Sequence, residues 1–254
     1  MATYKKRGDK AKKARKALIE EQSTTAEVFN TLDETASKSE QWVERNQKIL
    51  FTGLIVIAAV ILGFLAYNKY VLEPKEREAA NELAYPKSYF ERALNTTAQS
   101  DSLYALSLNG ADGKYGLIDI ADEYSNTKAG NLAKYMGGIA YLKTGDYENA
   151  IKYLSDFSSD DEMLSSIALG NIGNAFIEID QPEEGYEYYV KAANARDNNF
   201  TTPYYLMKAG NIAMELGRYD DAEKHFTRIK DEYTKSEEAK NIDIFIQRAQ
   251  LAEK

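Results

Sequence analysis

Apolar and polar positions alternate in short blocks along most of this chain, and one block breaks the pattern. Residues 49–67, ILFTGLIVIAAVILGFLAY, are nineteen in succession without a charge. At the α-helical rise of about 1.5 Å per residue such a run spans about 28 Å, close to the hydrocarbon thickness of a bilayer. Inside lipid the backbone must satisfy its own hydrogen bonds, so the run predicts a single transmembrane helix over residues 48–70. A core helix of a soluble domain keeps a polar face, whereas here only Thr52 and the small residues Gly53, Ala58, Ala59, Gly63 and Ala66 relieve the apolar surface. The forty-eight residues before it, the length of the run and the lack of a small-x-small cleavage site all argue against a secretory signal that is removed. Within the run, Ala59 and Gly63 have the small-xxx-small spacing that lets membrane helices approach, which makes them a candidate contact.

After Tyr70 the pattern changes to helical blocks separated by short turns, with no sustained period of two. The blocks repeat. GGIAYLKTGDYENAIKYL at 137–154 superposes without gaps on AGNIAMELGRYDDAEKHF at 209–226, and GNIGNAFIEIDQPEEGYEYY between them keeps Gly173, Phe176, Gly185 and Tyr189 in step. Equivalent glycines fall at Gly138, Gly173 and Gly210, a period that belongs to a helix-turn-helix unit resembling the tetratricopeptide repeat. The small residues Gly138 and Ala150 are expected to let paired helices close up, with aromatics such as Tyr141, Tyr147 and Phe226 filling the space. Gly145 and Gly217 suit a helix C-terminus that needs a positive φ. Pro182 followed by two glutamates, and Thr202 followed by Pro203, read as helix starts.

The predicted fold is therefore all-α: a single N-terminal transmembrane helix followed by a tetratricopeptide-repeat-like α-solenoid. Its expected divisions are a tail over 1–47, the anchor, and a repeat domain over 71–254. Within that domain an irregular repeat covers 76–128, with Pro86 kinking or starting part of its first helix near 76–94. Three repeats follow over about 129–160, 161–199 and 200–235, and a capping helix closes the stack over 236–252.

Charge separates the two ends. Residues 1–48 hold 11 basic and 8 acidic side chains, and the first sixteen carry eight basic residues against Asp9 alone. The remainder holds 21 basic and 32 acidic. Positive segments are retained in the cytoplasm while long acidic domains translocate, so the N-terminus is expected inside and the repeat domain outside. The tail has too few large apolar residues for a core and is expected to be largely disordered or to form one helix around residues 9–21, followed by a Ser/Thr-rich linker. Its basic cluster fits contact with anionic lipid better than nucleic acid, because no aromatics are interleaved for stacking.

Candidate chemistry is sparse. There is no cysteine, and the single histidine, His225, is expected on a solvated helix surface. Acidic pairs at 160–161, 183–184 and 220–221 fall where helices begin and complement their dipoles. No phosphate-binding or dinucleotide glycine fingerprint is present, so no enzyme activity and no cofactor or metal are expected. In tetratricopeptide proteins the first helix of each repeat lines a concave peptide groove. Carried onto this register, that groove is Leu132, Tyr135, Ile139 and Leu142, then Ile167, Asn174 and Ile177, then Tyr204, Met207, Asn211 and Met214. Asparagines would bond an extended backbone, and aromatic and methionine neighbours would add apolar contact.

The basic tail, the single anchor and YGLIDIADEYSNTKAGNLAKYMGGIAYLKTGDYENAIKYL together resemble the bacterial YfgM family in its Bacteroidota form. That resemblance implies a single-pass protein of the bacterial inner membrane with its repeat domain in the periplasm. Implied partners are the SecYEG translocon, a PpiD-like membrane-anchored chaperone and newly exported unfolded polypeptides, with membrane lipid around the anchor. A second expectation from the same repeats is an envelope scaffold that organises division or outer-membrane assembly complexes.

Overall fold

The computed structural model describes residues 13, 15–16, 24–96 and 99–252, and falls into two compact units, Met1–Asn68 and Lys69–Lys254. The basic helix expected around residues 9–21 lies outside the described residues apart from Lys13, Arg15 and Lys16.

The first unit is dominated by one helix, α1 (Thr24–Tyr67), of 44 residues. The Ser/Thr-rich stretch expected to be a linker is thus helical, and the reason is compositional: no proline or glycine occurs from Thr24 until Gly53. Every residue from 49 to 67 is exposed. It is the one helical stretch among the described residues long and apolar enough to cross a membrane, and is compatible with a single-pass anchor.

A single π turn, Asn68–Leu72, leads into the second unit. There α2 (Glu73–Leu94) opens with Glu73 accepting from both Lys69 at 2.8 Å and Arg77 at 2.7 Å. Pro86 neither starts nor ends α2; the helix runs through it, the ring is buried, and its carbonyl accepts from Ser107 Oγ at 2.8 Å. Ser107 belongs to α3 (Ser100–Asn109), and α4 (Leu117–Glu123) completes an irregular N-terminal group that packs on α5.

Three antiparallel pairs follow: α5 (Lys128–Thr144) with α6 (Tyr147–Ser155), α7 (Glu162–Glu178) with α8 (Pro182–Ala195), and α9 (Thr201–Glu215) with α10 (Tyr219–Glu232). One contact recurs at a fixed offset. The backbone of Gly138 lies against Leu154, that of Gly173 against Tyr189 and that of Gly210 against Phe226, each partner sixteen residues on. A Cβ on Gly210 would sit 2.3 Å from the Phe226 ring, so each of these glycines sets how closely its two helices approach. The turns repeat too: Gly145 (φ 81°), Asp180 (φ 58°) and Gly217 (φ 72°) occupy the same left-handed position.

Most helix starts follow the sequence. Asp146 and Asp161 accept from backbone N–H groups of α6 and α7, and Pro182 opens α8. The start of α9 does not. Thr202 is buried inside the helix, and Asn198 supplies the cap, its Oδ1 accepting from the N–H groups of Phe200 and Thr201. The last helix, α11 (Ile242–Ala252), is shorter than the expected 236–252 because turns occupy the residues before it. It covers the stack by placing Phe245 5.4 Å from Phe226. Two apolar clusters result, one running from Ala79 to Ile172 and one from Tyr189 to Ala249.

Candidate functional site

The first helices of the pairs, α5, α7 and α9, carry the residues expected to line a groove, and α7 and α9 meet there in a polar cluster. Asn174 Oδ1 accepts from the Tyr189 hydroxyl at 2.8 Å and from Lys208 Nζ at 2.9 Å. The Asn174 amide nitrogen donates to Asn171 Oδ1 at 3.1 Å, which fixes which way the amide faces. Lys208 Nζ also lies 5.0 Å from the centre of the Tyr189 ring and 5.6 Å from that of Tyr204. Tyr204 is edge-on to Tyr205 at 5.0 Å, and Tyr205 is laid over Gly170, where a Cβ would collide with its ring.

Position in the repeat explains the cluster. Tyr189 is the residue packed on Gly173; where Leu154 and Phe226 end in apolar surroundings, its hydroxyl reaches through to α7. Burial pushes that phenol up to about 12. Burial also pulls the Lys208 ammonium below its ordinary range, because a charge loses solvation there. None of the ion pairs among the described residues involves Lys208. Its neighbours are one neutral amide oxygen and two ring faces, a setting in which an added anion would be strongly favoured.

The expected groove residues divide. Tyr204, 45 % exposed, and Asn211, also exposed, present themselves to solvent beside Lys208 on α9. Asn174 is present on the same face but engaged as described. Ile139 is a correction: at 9 % exposure it belongs to the first core cluster and is not part of an open surface. Leu132 and Tyr135 are half-buried against that cluster, Tyr135 holding its ring 5.1 Å from Phe157. Ile177 packs over Gly185 in the partner helix, and Met207 and Met214 pack against the second cluster. Leu142 and Ile167 are half-buried. Lys208 was not among the expected residues, although its place four residues after Tyr204 and three before Asn211 puts it on the same helical face. The Tyr189 hydroxyl was not legible, because it belongs to a second helix.

His225 also departs from expectation. It is half-buried between α8 and α10, with Nε2 3.0 Å from the Tyr186 hydroxyl, whose ring carries the Arg218 guanidinium 5.1 Å above it. Burial depresses its basicity, opposed by Asp221 and assisted by Arg228 and Lys224.

Comparison with known families gives two matches, both to tetratricopeptide-repeat models, over residues 133–156 and 204–236. The chain is a tetratricopeptide-repeat-containing protein, and such repeats bind protein partners and are usually not catalytic. The matched stretches fall on α5 with α6 and on α9 with α10; α7 with α8 repeats the same glycine contact between them. No curated protein matches the chain.

Proposed function

We propose that the protein is a non-enzymatic, membrane-anchored adaptor whose α7 and α9 face holds an extended peptide segment of a protein partner. Following the likeness to the YfgM family, it serves as an accessory of the Sec translocon, with the tail in the cytoplasm and the repeat unit in the periplasm. It there binds a PpiD-like chaperone, newly exported polypeptides, or both. The charge difference between the tail and the remainder supports this orientation.

The observation that carries the peptide reading is Lys208, a half-buried ammonium with no carboxylate partner among the described residues, set between Asn174 and the exposed Tyr204. An acidic side chain of the partner supplies the missing counter-charge. The exposed amide of Asn211 then bonds the partner's backbone, and the Tyr204 ring gives apolar contact.

Purified full-length protein in detergent, titrated with acidic and neutral peptides of equal length, tests the first step. Lys208→Ala is expected to weaken the acidic peptide by about ten- to a hundredfold, the range for losing a charged hydrogen bond, while the neutral peptide is little affected. Equal binding of both peptides to wild type and variant would move the site elsewhere. Crosslinking from position 204 or 211 in membranes tests the second step, and a lack of translocon or chaperone products would end the placement while leaving the peptide site standing.

A further inference from the structure

The first twenty-five residues of α1, ahead of the apolar run, carry a second pattern. From Val28 to Asn46 no charged residue falls on a stripe three positions wide in every seven, and all eight charges of residues 24–48 fall off it. The centre of that stripe is Phe29, Leu32, Ala36, Ser39, Val43 and Asn46, with steps of three and four in alternation. Carried on, the same spacing falls on Leu50, Gly53 and Ile57 in the membrane run. A strict repeat of seven is the spacing at which two helices keep one seam in contact while supercoiling.

We propose that α1 pairs with α1 of a second copy of this chain, as a parallel two-stranded coiled coil that begins near Val28 and runs on into the membrane. Three observations select this occupant. The segment before the apolar run adds about 37 Å of polar helix, which is marginal in water unless its uncharged stripe packs against another helix. Because α1 is one unbroken helix, this segment cannot turn to lie along a lipid surface. Its five acidic and three basic side chains would also be repelled by anionic headgroups.

A seam that meets itself across a two-fold axis needs no second sequence. Two copies anchored in one membrane point the same way, so the pairing is parallel and Asn46 faces Asn46. In the structure the Asn46 amide donates one hydrogen to the Trp42 carbonyl at 2.8 Å, which leaves its oxygen and second hydrogen for the partner's amide. A polar residue at one seam position fixes register and helix number at some cost in stability. Trp42 and Val43, 57 % and 48 % exposed in the single chain, become covered.

The pairing is independent of peptide binding and can fail or hold separately from it. The chain contains no cysteine, so single cysteines report without background. Full-length protein in membranes, carrying Leu32→Cys, Ala36→Cys or Val43→Cys, is treated with a mild oxidant beside Glu34→Cys, Lys38→Cys and Arg45→Cys. The seam set is expected to give a product at twice the 28.6 kDa monomer mass, at least about fivefold above the off-seam set, since only seam Cα pairs come within disulfide reach. Adding Leu32→Asp to Val43→Cys should remove that product while the repeat unit stays helical. Equal yields at all six positions, no dimer, or a product of a different mass would overturn the proposal.

Discussion

Asp180 stands where the flanking repeats have Gly145 and Gly217, and all three backbones are left-handed there. An aspartate tolerates that conformation less well than glycine, so Asp180→Gly is expected to raise unfolding free energy by about 0.5–1 kcal/mol in a denaturant titration. The opposite change, Gly210→Ala, pushes a methyl into the Phe226 ring and should cost about 1–3 kcal/mol. His225 gives a pH signature. Its folded basicity is depressed, so its contribution is intact above the unfolded value of about 6.5 and is lost as pH falls toward the lower folded value. Melting temperature should drop more steeply between neutral and mildly acidic pH in wild type than in His225→Gln; parallel curves would show that the burial has no energetic weight. The positive φ of Gly145 and Gly217 was legible from spacing alone. The His225 environment was not, because Tyr186 lies 39 residues away and only helix crossing brings the two together.

At the level of elements, most helix ends are closed by neighbours in sequence, such as Asp161 on α7. α5 is different. Thr127 satisfies the N–H of Gly130, but those of Lys128 and Ala129 donate to the two carboxylate oxygens of Glu76, at 2.7 Å and 3.2 Å. Glu76→Gln should therefore lower the stability of the second unit by about 0.5–2 kcal/mol, as loss of a cap does elsewhere, with protection of the first α5 amides in hydrogen exchange falling first. No local motif announces a cap from 52 residues away, so a sequence reading that places the acidic pair 160–161 at a helix start passes over it. The same limit explains α1. Serines and threonines mark a linker by composition, yet nothing in the stretch breaks a helix.

For the molecule as a whole, the repeat architecture was readable because its glycines recur at a fixed period, and the model matches at 133–156 and 204–236 rest on the same recurrence. The candidate face was readable only in part. Side-chain spacing picks out one face of each helix, but depth within that face depends on the neighbours, which is why Ile139 sank into the core while Tyr204 did not. Tyr189 joins the two levels, with its ring in the second cluster and its hydroxyl on Asn174. Tyr189→Phe should keep the melting curve within about 1 kcal/mol, the worth of one hydrogen bond, yet weaken acidic-peptide binding by loosening Asn174. Loss of stability without loss of binding would assign the hydroxyl to folding. The Glu76 carboxylate has a mechanical meaning as well. It lies just after the π turn, where any pull transmitted along the chain from α1 first reaches the second unit. Its two hydrogen bonds clip α2 to the start of α5, so a tug loads that clip before it can peel the irregular N-terminal helices away.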